Sequence, residues 1–160
     1  MVLATSGPQG LDCSPRGDAP GFVEVADPRT LLIPDRRGNN RLDSLRNLVH
    51  DPRIGLLFLI PGIGETLRVN GTARLVRDQA LAGRFEVRRT VPTLVIVVHV
   101  QAVYFQCPKA IVRSDLWNPE RFRDQATVPT AGRILARIMA DVDAEAYDAA
   151  YPERLRTTLY

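Results

Sequence analysis

Three stretches gather side chains that could bind or activate a ligand. The richest runs Asp35-Arg36-Arg37-Gly38-Asn39-Asn40-Arg41-Leu42-Asp43-Ser44. Where a helix starts, backbone N–H groups and the positive end of the dipole favour an anion. Asn40, Arg41 and Ser44 would add neutral and charged donors, and a planar guanidinium suits phosphate. The same residues also read as a polar loop with an ordinary cap, and Asp35 and Asp43 oppose an anion unless they point away or pair with Arg36 and Arg46. The second stretch, Ser14-Pro15-Arg16-Gly17-Asp18, ends a strand with a hydroxyl, a cation and a glycine, a place for a ligand's polar edge or a plain polar turn. The third, Tyr104 to Trp117, holds the only lysine, the only tryptophan and two other aromatics. Lys109 and Arg113, four apart, share one helix face there, either as a ligand contact or as solvated surface cations.

No catalytic set of side chains emerges. The sequence holds no Ser/His/Asp arrangement, no HExxH, no GxGxxG and no Walker loop. Cys13 and Cys107 lie far apart, with no CxxC or Cys/His cluster, so zinc is not supported and two buried or half-buried free thiols are expected. His50 and His99 share no ligand spacing. A bound cofactor would then carry any chemistry, with the protein positioning it.

The net charge of +3 invites a nucleic-acid reading, but 20 of the 21 basic residues are arginines, scattered among 18 acids. That pattern is not the one-sided basic face of a nucleic-acid binder. At 160 residues, 45% hydrophobic and 24% charged, the chain reads as one globular domain with a self-sufficient core. The longest apolar stretch, Leu94 to Val103, is too short and too polar at His99 and Gln101 to span a bilayer. No basic leader precedes Val2 to Thr5, so a cytoplasmic location is expected.

These stretches need a frame. Residues 2–14 read as a β-hairpin around Gly7-Pro8-Gln9-Gly10, and Phe22 to Val25 and Thr30 to Ile33 as short strands. Leu42, Leu45, Leu48 and Val49 mark a helix capped by Asn39 or Asn40 and ended by Asp51-Pro52. Ile54 to Ile60, Thr66 to Val76 and Thr93 to Phe105 read as strands, the second alternating Leu67, Val69, Gly71, Ala73 and Leu75 against polar neighbours. A short helix covers Asp78 to Val87, and helical spacing takes over in Ala110 to Trp117, Thr130 to Ala140 and the last twenty residues. The class is mainly β (α+β): six or so antiparallel strands closing into a small barrel, with peripheral and C-terminal helices. The barrel domain is expected over residues 1–120, and residues 121–160 as a helical extension packing on the barrel or on a dimer partner.

In this order, Ser14-Pro15-Arg16-Gly17-Asp18, Leu31-Leu32-Ile33-Pro34-Asp35-Arg36, Gly38-Asn39-Asn40-Arg41-Leu42-Asp43-Ser44-Leu45, Asp51-Pro52-Arg53-Ile54-Gly55-Leu56-Leu57-Phe58, Leu67-Arg68-Val69-Asn70-Gly71-Thr72-Ala73 and Cys107-Pro108-Lys109-Ala110 carry a resemblance. The chain resembles the pyridoxamine 5′-phosphate oxidase-like flavoproteins, and among them a bacterial subgroup of probable FMN-dependent enzymes. The resemblance covers roughly residues 2–120 and extends to the terminal helices. Its most specific piece is the helix followed by Asp51-Pro52-Arg53-Ile54 and an apolar strand.

The resemblance implies a six-stranded antiparallel FMN-binding split β-barrel, a homodimer with two flavin sites at the subunit interface. It places the FMN phosphate on Asn39, Asn40, Arg41 and Ser44. Ser14, Pro15, Arg16, Pro34 and Asp35 line the isoalloxazine and ribityl edge, and Gln106, Lys109 and Arg113 reach the partner's flavin. The implied activity is an FMN-dependent oxidoreductase acting on an unknown small organic substrate, with backbone N–H groups stabilising the reduced ring. A deazaflavin-dependent split-barrel reductase and a non-catalytic flavin-binding or sensor domain are the alternatives, and a haem-binding relative finds no evident axial histidine. The basic, histidine-containing C-terminus of true pyridoxamine 5′-phosphate oxidases is absent, which argues against vitamin B6 oxidation. The helix that usually precedes the first strand is also missing, so a truncated or misassigned start is expected.

Overall fold

The computed structural model describes residues 1–38 and 41–160. They divide into two compact units, Met1–Trp117 and Asn118–Tyr160.

The first unit is one antiparallel sheet of seven strands: β1 (Val2–Gly7), β2 (Gly10–Pro15), β3 (Glu24–Asp27), β4 (Thr30–Pro34), β5 (Arg53–Phe58), β6 (Thr66–Val76) and β7 (Val95–Gln106). Their order is β2-β1-β5-β6-β7-β4-β3. The class is α+β as read from the sequence, with one strand more than six. β3, read from the sequence as Phe22 to Val25, is a four-residue edge strand set two residues later, with a register shift between Val25 and Asp27. Among the described residues no hydrogen-bonded ladder joins the edge strands β2 and β3, so the curled sheet is a split barrel.

Alternation explains the curl. Leu3, Ile33, Ile54, Leu56, Val69, Ala73, Ile96 and Val98 all turn inward and meet Leu48 in one core. On the outer side of β4 and β7, Leu32 and Val95 pack with Ala82 and Phe85, beside the short helix α2 (Gln79–Gly83). Gly71 sits where the β6–β7 register shifts. A Cβ there would lie 2.1 Å from the His99 carbonyl oxygen, so the two strands approach through the glycine.

Helix α1 (Asp43–His50) closes one end of the barrel with Leu48 inward, and buried Asn47 donates from Nδ2 to Thr5 Oγ1 at 3.2 Å. Its N-cap is Leu42, with φ 60° and no side-chain cap, rather than Asn39 or Asn40, which lie outside the described residues. The helix begins three residues later than an asparagine cap at position 39 would require. Cys13 and Cys107 are free but exposed rather than buried, because each falls on the outer side of its strand or just past a strand end.

Past the register shift, β7 runs beyond the covered core. Val103 and Phe105 pair with Val69 and Leu67 and lie on the core side of the sheet, yet are 57% and 75% exposed. Helix α3 (Lys109–Ser114) follows, and Trp117 Nε1 donates to the Ile63 carbonyl at 2.8 Å.

The second unit pairs α4 (Ala131–Ile138) with α5 (Ala144–Thr158). Asp148 accepts from the Gly132 N–H at 2.9 Å and from the Thr130 hydroxyl, tying the start of α4 to α5. Among the described residues no helix is long and apolar enough to cross a membrane.

Candidate functional site

The site grows from the inner edge of β2. Asp12 and Ser14 stand opposite the buried Thr5 and Leu3, so alternation turns them inward. The ladder runs one residue further, since Arg16 N–H donates to the Met1 carbonyl and the Met1 amine to the Arg16 carbonyl, both at 2.8 Å. Arg16 therefore falls on the same side as Ser14 and Asp12. Four residues of strand separate Asp12 from Arg16, about 13 Å.

Each end of this row meets another element. At the Asp12 end, the Ser44 hydroxyl of α1 donates to Asp12 Oδ2 at 2.5 Å. At the Arg16 end, Nη1 donates to Asp35 Oδ1 at 2.8 Å, just after β4. A second ion pair lies beside it, Arg36 Nε to Asp18 Oδ2 at 2.5 Å, with the Asp18 side chain only 2% exposed. The two pairs link the segments following β2 and β4. The barrel seam is thus tied there by side chains.

Both ends offer unfilled hydrogen-bonding capacity. Arg16 Nε is buried without an acceptor, an arrangement that ordinarily costs about 1–3 kcal/mol. The Asp35 carboxyl is pushed above its ordinary range by burial, with the charge and hydrogen bond of Arg16 pulling the other way. Around the other end, a cavity of about 330 Å³ opens between the β1–β2 turn and α1, lined by Gln9, Asp12, Arg41, Asp43, Arg46 and His50 among others. Here Arg41 Nε donates to Asp43 Oδ2 at 2.9 Å, while Arg46 makes no side-chain hydrogen bond or ion pair among the described residues. The uncapped start of α1 opens at the same end.

Of the residues marked in the sequence, the structure gathers Ser14, Arg16, Asp35, Arg41 and Ser44 along this seam. Pro15 and Pro34 alternate to the opposite face of their strands, Pro34 buried beside Val95 and Pro15 exposed. Asn39 and Asn40 lie outside the described residues. Gln106, Lys109 and Arg113 are exposed at the far end of β7 and on α3, and share no hydrogen bond or ion pair with the seam residues among those described. Sequence reasoning missed Asp12 and Arg46 as lining residues and Asp18 with Arg36 as the second tie. The Asp12–Ser44 contact joins residues 32 apart, and no local spacing announces it.

Comparison with known proteins sets this geometry in a family. The family model described as pyridoxamine 5′-phosphate oxidase matches residues 1–107. The chain belongs to the pyridoxamine 5′-phosphate oxidase family. The solved structure of HupZ agrees on the fold. HupZ from Group A Streptococcus aligns with a TM-score of 0.54 at 18% identity, covering 66% of this chain and 83% of that one. An FMN-binding protein from Syntrophomonas wolfei aligns at 9% identity with a TM-score of 0.47, covering 65% and 74%. No curated protein matches.

Within this family frame, FMN can be tested against the residues present. Among the described residues, a buried donor without an acceptor at Arg16, a helix start without a side-chain cap and an Arg46 without an ion pair form a donor set suited to a ligand with a polar ring at one end and a phosphate at the other. Asp43 is paired with Arg41, while Asp12 accepts from the neutral Ser44 hydroxyl, which leaves Arg46 as the cation that favours a phosphate at this end. The residues fit the group.

Proposed function

We propose that this chain binds FMN along the inner edge of β2 and acts as an oxidoreductase on a small organic substrate. The observation that carries the reading is the Arg16 Nε–H, buried with no acceptor on the seam where the family resemblance puts the isoalloxazine edge. Ser14 and Asp35 would line that edge, with Pro15 and Pro34 stiffening the two strands from the opposite face. Arg41, Asn39 and Asn40, joined by Arg46, would hold the phosphate, and Ser44 would join them by releasing Asp12. The chemistry supplied by bound FMN is two-electron oxidation or reduction of the substrate. The chain's own part is to orient the ring, to set a positive charge beside it through Arg16, and to keep water from the seam with the core beneath.

The working unit in this reading is a homodimer. Support comes from Leu67, Val103 and Phe105, apolar side chains on the core side of the sheet that the first unit leaves exposed. A second copy covering them would bring its Gln106, Lys109 and Arg113 to the neighbouring flavin.

The test is spectroscopic. Purified protein, loaded with FMN and freed of excess, should show flavin absorbance with quenched fluorescence, and should then reduce or oxidise the flavin in a screen of small substrates. Bound FMN without turnover would favour a non-catalytic flavin holder. Retention of a deazaflavin in place of FMN would favour the reductase alternative.

A further inference from the structure

We propose that Asp35 is a positioning residue, holding the Arg16 guanidinium by one nitrogen so that the buried Nε–H stays free for an acceptor on the bound flavin ring. The inference rests on the flavin reading above and assigns a division of labour within it.

The molecule contains its own comparison. Arg53 meets Asp51 side-on, with Nε 2.9 Å from Oδ1 and Nη2 2.6 Å from Oδ2. Arg156 meets Glu153 the same way, with Nε and Nη2 at 2.9 and 2.6 Å. In both exposed pairs the Nε edge is consumed by the carboxylate, the two-point geometry that arginine and carboxylate commonly adopt. The Arg16 pair is different: Asp35 takes Nη1 alone, and Nε is left buried without an acceptor. The two side chains are 20% and 16% exposed, so water has little access to the spare donor.

The backbones on both sides are fixed. Arg16 exchanges two hydrogen bonds with Met1. Asp35 follows the buried Pro34 and donates its N–H to the Leu94 carbonyl at 3.1 Å. With both main chains fixed, the remaining freedom is in the arginine side-chain torsions, and the bond to Asp35 removes it. The neighbouring Asp18–Arg36 pair braces the same two segments and keeps the loops from parting. A guanidinium held this way presents its donor without reorganising when a ligand arrives, which is how positioning lowers the cost of binding.

The test uses the full chain and two ligands, riboflavin and FMN, each titrated by fluorescence quenching. Asp35→Ala should weaken both by the same factor, about tenfold, because the ring and not the phosphate is affected. Arg16→Ala should weaken both similarly, and adding Asp35→Ala to it should cost nothing further, since the positioned group is already gone. Asp35→Glu should recover most of the affinity. If Asp35→Ala fails to fold, Asp35→Leu, close to the same size and unable to accept from Arg16, carries the same cycle. Equal losses from removing Asp35 with or without Arg16 would overturn the role, as would a loss confined to FMN or no rescue by glutamate. Failure of the unmodified protein to bind either flavin would overturn the flavin reading itself.

Discussion

Arg46 gives the phosphate end of the seam a test of its own at the residue scale. It lines the cavity beside Arg41, and no carboxylate occupies its guanidinium among the described residues. Arg46→Ala should weaken FMN about tenfold while leaving riboflavin unchanged, read by the same titrations. A second residue-scale prediction concerns acid. Hydrogen bonds from Arg53 hold the Asp51 carboxyl down to about 2, from an ordinary 3.8. A depressed folded-state value means stability present above pH 3.8 and lost as pH falls through about 2. Asp51→Asn should flatten that acid limb of the melting-temperature profile, by a small amount because the pair is exposed to solvent. The polar stretches that hold Arg16, Asp35, Arg41 and Ser44 stood out in the sequence because short polar runs beside glycine and proline are local signals. The contacts of Ser44 with Asp12 and of Arg36 with Asp18 did not. Which carboxylate meets which donor is decided by how β2, α1 and the end of β4 are brought side by side.

At the scale of elements, the glycine in β6 is the sharpest point of dependence. Gly71→Ala would drive a Cβ into the His99 backbone, and main chain in a paired strand has nowhere to retreat. The expected outcome is a loss of about 1–3 kcal/mol in urea unfolding, with β6 and β7 opening first in hydrogen exchange; an unchanged midpoint would contradict that packing. The strands were legible from alternation: Val69, Gly71 and Ala73 are buried as their period of two demands. The start of α1 was not. An asparagine cap is the local preference, yet Leu42 occupies the cap position with a left-handed backbone. The apolar face of α1 is set by Leu48 in the core and Asn47 on Thr5, so tertiary packing overrides the capping preference. Likewise the far half of β7 has the composition of a buried strand, but nothing in the first unit covers it.

At the scale of the whole molecule, that uncovered end predicts association. Phe105→Glu would place a charge at the centre of Leu67, Val103 and Phe105, and should raise the dimer dissociation constant by at least about 30-fold, measured by light scattering against concentration. If the partner supplies Gln106, Lys109 or Arg113 to the flavin, this variant should lose flavin affinity in parallel. A monomeric unmodified protein that still binds flavin tightly would remove the partner from the site. The split barrel was legible because long alternating strands leave few ways to bury their inner faces. The proposed dimer comes only from the family resemblance, since an exposed apolar strand end does not by itself name what covers it. One measurement bears on the whole account: titration of the full chain with FMN, followed by flavin fluorescence. The account predicts saturable quenching at one flavin per chain, weakened when Arg16 is replaced by alanine. Fluorescence that falls without saturating, or a binding curve indifferent to Arg16, would contradict it.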